Sequence, residues 1–179
     1  MIIGLSGYAR SGKDSTAELL CLNYGYTRLS FADPIRHALM VLNPKLDSIT
    51  RLAEYVDDYG WDMAKQNPEV RRLMQVFGTE VGRTMFGEDV WVKLALRDLS
   101  PNSKVVISDV RYPNEARAIK SLGGSLWRIN RHNHSAVNGH KSEHAMDNFT
   151  FNHVIYNDGT LDDLSDEVFM LAKELGLNT

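Results

Sequence analysis

The chain opens on a short apolar run, residues 2–5, closed by Ser6-Gly7, which reads as a strand buried on both faces. The period then changes. Ala17, Leu20, Cys21 and Tyr24 recur at helical spacing after Lys13. Residues 27–31 form a second candidate strand, and Asp33-Pro34 reads as an N-cap followed by proline at the first helical position. Ile35, Ala38, Leu39 and Leu42 give that helix an apolar face. From about 43 to 99 no strand pattern appears, and the segment reads as mostly helical, punctuated by Pro44, Gly60, Pro68, Gly78 and Gly87. Strand-like runs return at 104–108, 125–129 and 153–156. One helix follows the first of these, from near Pro113 to Gly123-Gly124. Another follows the last, from near Thr160, with Leu161, Leu164, Val168, Leu171 and Leu175 on one stripe. Strands alternating with helices predict a single α/β domain over 1–179 around a central, mostly parallel five-stranded sheet. Ligands of such a sheet bind at the carboxyl ends of its strands, so the residues just after each strand become candidates.

Composition narrows the ligand class. With 43% hydrophobic and 24% charged residues the chain is an ordinary globular one, and a formal charge of −3 argues against non-specific nucleic-acid binding, which needs a basic surface. A local cluster of arginines can still hold phosphates. A single cysteine rules out an internal disulfide and a cysteine-rich metal site. No apolar stretch approaches the ~18 residues of a membrane span, and no leader pattern precedes the first strand. The expectation is a reducing, cytoplasmic compartment, the host cytoplasm if the chain comes from a phage.

Gly7-Tyr8-Ala9-Arg10-Ser11-Gly12-Lys13 has the spacing G-x-x-x-x-G-K of a phosphate-binding loop, placed between a predicted strand and a predicted helix. Glycines let the backbone close around an anion, inward N–H groups and the helix N-terminus bind it, and Lys13 adds charge for the β- and γ-phosphates. ATP and Mg²⁺ are the ligands such a loop implies. Asp14 stands where Ser or Thr ordinarily offers a hydroxyl to the metal. A carboxylate is also a hard ligand, so Asp14 is a metal candidate, with Ser15 or Thr16 as the alternative. Its plain role would be that of an acid favoured in a helix's first turn. Arg10 is able to grip a phosphate in a bidentate way or to face solvent.

Val105-Val106-Ile107-Ser108-Asp109 is an apolar strand ending in an acid, the arrangement of a metal-orienting aspartate. Arg111 follows at the ligand edge, or pairs with Glu115. Arg71 and Gln75 mix donors and acceptors in a way that suits a nucleotide, and Arg83 lies three helical turns beyond Arg72. Trp127-Arg128-Ile129-Asn130-Arg131 leaves basic residues at a strand exit. His132, His134, His140 and His144 follow among polar residues, in a spacing that fits a mobile polar lid better than any zinc pattern.

Taken together, these residues resemble the bacteriophage deoxynucleoside monophosphate kinases. The matches are Ser11-Gly12-Lys13-Asp14-Ser15-Thr16, Ser30-Phe31-Ala32-Asp33-Pro34, Arg71 through Glu80, Asp109-Val110-Arg111-Tyr112-Pro113-Asn114-Glu115, Trp127 through Arg131, His140-Lys141-Ser142-Glu143 and Asn157-Asp158-Gly159-Thr160. Met74 stands where the family would have leucine, a mild swap. The resemblance implies a three-layer nucleoside-monophosphate-kinase-like fold, with a helical monophosphate-binding region over about 33–99 and a lid over about 131–146. It implies transfer of the ATP γ-phosphoryl group to a deoxynucleoside monophosphate. ATP would be held by Gly7, Ala9, Arg10, Ser11, Gly12, Lys13, Asp14, Ser15 and, at the adenine, Asn157. Lys13, Arg10, Asp14 and the lid residue Arg131 would act in transfer. Asp33, Arg36, Arg71, Gln75, Asp109 and Arg111 would face the monophosphate, and Asp14, Ser15 and Asp109 the Mg²⁺. The helical region leaves a homodimer open. Two other readings compete: a kinase similar to the animal phosphomevalonate kinases, which share Ser-Gly-Lys-Asp, and a switch module that binds ATP without transferring it.

Overall fold

The computed structural model of the chain describes residues 1–100, 102–132 and 144–177. Five strands form one sheet: β1 (Ile2–Ser6), β2 (Thr27–Leu29), β3 (Val105–Ile107), β4 (Ser125–Asn130) and β5 (His153–Tyr156), in the order β2-β3-β1-β4-β5. Every pairing is parallel. Ile3 stands opposite Val106 on one side and Ser125 on the other. Parallel neighbours need crossovers, and helices supply them: α1 (Lys13–Tyr24) leads from β1 to β2, α7 (Pro113–Ser121) from β3 to β4, and α8 (Leu161–Glu174) follows β5.

The residue contacts divide the chain into two compact units, Met1–Ser30 with Asp98–Thr179, and Phe31–Arg97. In the first, side chains alternate between the two faces of the sheet. Ile3, Leu5, Val106, Trp127, Ile129 and Ile155 pack against Ala17, Leu20 and Tyr24 of α1 and Leu164, Val168 and Ala172 of α8. The opposite face meets α7, where Ile119 is fully buried. The α8 stripe differs from its expected form. Leu161 is 63% exposed and Ala172 is buried, because the sheet-facing side of the helix runs through 164, 168 and 172. Thr160 caps this helix, its hydroxyl accepting from the Asp163 N–H at 3.2 Å while the Asp163 carboxylate accepts from the Thr160 N–H at 2.7 Å.

The second unit is helical: α2 (Asp33–Leu42), α3 (Leu52–Ala64), α4 (Pro68–Gln75), a π-helical stretch (Val76–Arg83), α5 (Thr84–Phe86) and α6 (Val90–Leu96). Leu39, Leu52, Val56, Ala64 and Val70 are its core, with Met74 packed at the edge. Asp33 is the first residue of α2 rather than its cap, and its carboxylate accepts from Arg36 at 2.8 Å. The π-helical stretch breaks the expected three-turn alignment of Arg72 with Arg83, because its turns are wider than those of an α-helix. Close packing accompanies it. The Trp91 indole donates to the Gly78 carbonyl at 2.7 Å, and the same ring lies where a Cβ on Gly82 would sit. Gly82→Ala is therefore expected to destabilise the chain by about 1–3 kcal/mol through overpacking, read as a fall of several degrees in the unfolding midpoint. An unchanged midpoint would show that the indole yields freely.

Candidate phosphate site

β1 delivers the chain to Gly7, and α1 begins at Lys13. Between them the loop closes on itself: the Ser11 N–H donates to the Tyr8 carbonyl at 3.2 Å, and the Lys13 ammonium donates to the same oxygen at 2.7 Å. Gly12 precedes α1 with φ 107° and no side-chain cap, so the first N–H groups of that helix are left to a ligand. The Ser11 hydroxyl is buried and has no partner among the described residues, a further donor facing no acceptor. Arg10 takes φ 63°, and no acceptor among the described residues holds its guanidinium.

Two pockets flank the loop. The larger, about 270 Å³, is lined by Arg10, Gly12, Asp14, Ser15, Arg131, Asn157 and the 159–161 turn with Leu164. The smaller, about 40 Å³, lies toward Tyr8, Lys13, Arg111 and Arg128. Asn157 does more than line the larger one. Its backbone N–H extends the β4–β5 ladder to the Asn130 carbonyl at 2.7 Å, and its side-chain amide donates to the Ser11 carbonyl at 2.9 Å. At 7% exposure it braces the loop from below. Arg131 is exposed at the pocket edge. The adjacent His132 donates its backbone N–H to Asp158 at 2.6 Å, and that bond, the His132 ring contact and the charge of Arg131 hold the Asp158 carboxyl below its usual range.

Oxygen donors for a hard cation are present but engaged. Asp14 pairs with Arg28, whose Nε donates to Ser108 at 3.1 Å. Asp109 accepts from the Ser30 hydroxyl at 2.6 Å, and Ser15 lines the larger pocket. Thr16, the alternative to Ser15, is buried, and its hydroxyl donates to the Gly12 carbonyl at 3.0 Å. Among the described residues no three or more His, Cys, Asp or Glu side chains cluster as a metal cage. Mg²⁺ is ordinarily held through one or two carboxylates plus substrate phosphates rather than by such a cage. The Arg111–Glu115 pair takes another form: Glu115 is buried and accepts from the backbone N–H groups of Arg111 and Tyr112 at 2.7 and 3.0 Å, which caps α7.

The remaining expected residues belong to the helical unit. Arg36 pairs with Asp33 and lies 5.8 Å from the Trp61 ring centroid, its Nε buried without a partner among the described residues. Arg71 is exposed and donates its Nε to the Lys65 carbonyl at 2.8 Å, and Gln75 is exposed one turn on along α4. Most of the expected lid, including His134 and His140, falls outside the described residues. Arg28, which pairs with Asp14, and Tyr8, Arg128 and Asp147 around the smaller pocket are not among the expected site residues. Only Arg128 left a trace in the sequence, as an arginine inside a strand whose neighbours are apolar.

No helix of the described residues is long and apolar enough to cross a membrane. Residues 48–168 match the family described as deoxynucleotide monophosphate kinase. A protein of Acanthamoeba polyphaga mimivirus named for that activity is 30% identical over 189 residues, covering 94% of each chain. The deoxynucleotide monophosphate kinase of Enterobacteria phage T4 is 26% identical, covering 97% of this chain and 99% of its own. Among solved structures, shikimate kinase from Aquifex aeolicus aligns over 100% of both chains with a TM-score of 0.52 at 13% identity, a likeness of fold alone.

Proposed function

The chain belongs to the deoxynucleotide monophosphate kinase family and is a kinase, and on that premise we propose that it transfers the γ-phosphoryl group of ATP to a deoxynucleoside monophosphate, yielding the diphosphate for DNA precursor supply. The observation that carries the reading is the Gly7–Gly12 loop leading into the α1 N-terminus, which has no side-chain cap, with Gly12 and Asp14 lining one pocket and Lys13 the other. The larger pocket suits the body of ATP, its phosphates toward Arg10, Asp14 and Ser15 and its base toward Asn157. The smaller suits the transfer end, because lysine in such loops reaches the β- and γ-phosphates.

In the transfer an acceptor phosphate oxygen bonds to the γ-phosphorus, the bond from phosphorus to the β–γ bridging oxygen breaks, and its electron pair leaves with ADP. The attacking oxygen is already ionised near pH 7, so no general base is required. The work of the side chains is alignment and charge neutralisation. Lys13 and the loop N–H groups hold the β- and γ-phosphates, and Arg10 and Arg131 supply charge from the rim of the larger pocket. Asp33, Arg36, Arg71 and Gln75 are the helical unit's own candidates for the monophosphate, and Asp109 and Arg111 are those of the sheet unit. Asp14, Ser15 and Asp109 would hold Mg²⁺, which when bound neutralises charge on the phosphate oxygens.

Arg28 competes with the metal for Asp14 on this reading. Arg28→Ala is expected to leave stability within ~1 kcal/mol, as for an exposed pair, and to lower the Mg²⁺ concentration that half-saturates ADP binding about two- to fivefold. A higher requirement would remove Asp14 from the metal site. The function itself is tested with ATP, Mg²⁺ and a panel of acceptors: the common deoxy- and ribonucleoside monophosphates and phosphomevalonate. ADP release with deoxynucleoside monophosphates supports the proposal. Release with phosphomevalonate alone, or ATP binding with no acceptor-dependent release, sinks it.

A further inference from the structure

Arg128 is charged, yet its side chain is only 10% exposed. Its guanidinium lies 4.9 Å from the Tyr8 ring centroid and 5.6 Å from that of Phe151. Nε donates to the Asn130 side-chain oxygen at 3.3 Å, and one terminal nitrogen donates to Asp147 at 3.3 Å. That carboxylate is shared. The Tyr8 hydroxyl donates to the same oxygen at 2.8 Å, and the His144 ring nitrogen lies 2.8 Å from the other. Burial opposes the charge of Asp147, but the bonds from His144 and Tyr8 and the charge of Arg128 hold its carboxyl below the usual range. The bond to Asp147 raises the Tyr8 phenol above its ordinary value, so the hydroxyl stays a donor.

A guanidinium carries five N–H donors. Among the described residues these two bonds are long for charge-assisted ones, and they leave most of that capacity over. Arg128 also lines the smaller pocket with Lys13, Arg111, the Gly7–Ala9 segment and the apolar Val110 and Met146, and among the described residues no carboxylate lines it. About 40 Å³ is room for a few waters or one phosphate-sized group. Three cations around so small a space select a multiply charged anion.

We propose that Arg128, with Lys13 and Arg111, binds a terminal phosphate monoester in this pocket, and that Asp147 is a positioning residue fixing the guanidinium between the two rings. The inference rests on the reading of the loop given above. The monoester has two sources with the same chemistry, the γ-phosphate of the triphosphate and the phosphate of the acceptor nucleotide.

Calorimetry on the full chain with ADP, a non-hydrolysable ATP analogue and a deoxynucleoside monophosphate separates them. Arg128→Gln is expected to weaken the analogue or the monophosphate about ten- to hundredfold and to leave ADP within about twofold. Loss on the analogue assigns the γ-phosphate, and loss on the monophosphate assigns the acceptor. Asp147→Asn keeps the shape and removes the charge, so it should weaken the same ligand less, with kcat changed less than KM. Arg128→Lys, which keeps charge but not the fork, should fall between the parent and Arg128→Gln. The proposal is overturned by parental affinity for both ligands, or by equal loss on all three, in variants that fold by circular dichroism. If Arg128→Gln does not fold, Asp147→Asn and Arg128→Lys decide on the same criteria. If Lys13→Ala abolishes turnover while these variants bind as the parent does, this inference alone fails. If Lys13→Ala keeps turnover, the reading of the loop fails.

Discussion

Lys13→Ala is expected to lower kcat about a thousandfold, the scale seen when one preorganised charge is removed from a transition state, while the protein stays folded. The lysine ammonium closes the loop by donating to the Tyr8 carbonyl at 2.7 Å. In the proposed reaction it follows the charge that develops on the transferring group. Lys13 is the first residue of α1 and only half-buried, and alanine is the better helix former, so the fold has little to lose. Steady-state kinetics with a saturating acceptor, beside a circular-dichroism melt, checks both halves. A folded variant turning over within tenfold of the parent would falsify the role given to the loop.

Gly12→Ala should damage the site by a different route. The residue holds φ 107°, which strains any side chain by about 1–3 kcal/mol. A Cβ there would also meet the Asn157 amide nitrogen, the group that donates to the Ser11 carbonyl at 2.9 Å. Losing that buried bond adds about 1 kcal/mol. The expected outcome is a lower unfolding midpoint together with at least a tenfold loss of ADP affinity, since the loop carbonyls and the α1 N-terminus move as one. ADP binding at the parental level would show that the brace from β5 is dispensable. The two variants differ in kind: the first removes charge from an intact cradle, and the second distorts the cradle.

Much of this was legible before any coordinates. The run 2–5, the G-x-x-x-x-G-K spacing and the helical recurrence after Lys13 place a strand, an anion loop and a helix in that order, and the structure has β1, the loop and α1 there. The four later strands were also visible as apolar runs, with ends shifted by at most two residues. The helical region was harder. Arg72 and Arg83 were aligned on an α-helical ruler that fails across Val76–Arg83, where Trp91 fills the gap above Gly82. Leu161 fitted the apolar stripe by spacing but faces the larger pocket, because the buried side of α8 is chosen by the sheet it packs on.

Asp14 shows the same division. Its place after the loop lysine could be read directly, and its candidacy for the metal followed from its chemistry. Its partner Arg28 could not be read, because that pairing exists only once β2 lies beside β3 and α1 crosses back over them. Arg128 pairs with Asp147, and Asp147 with Tyr8, for the same reason: the order β2-β3-β1-β4-β5 brings the β1 exit next to the β4 exit. Elements and loops follow from spacing between near neighbours, which a single chain displays openly. Which polar group answers which across 139 or 146 residues follows from sheet order and packing, so the phosphate loop was written in the sequence and its braces were decided by the tertiary fold.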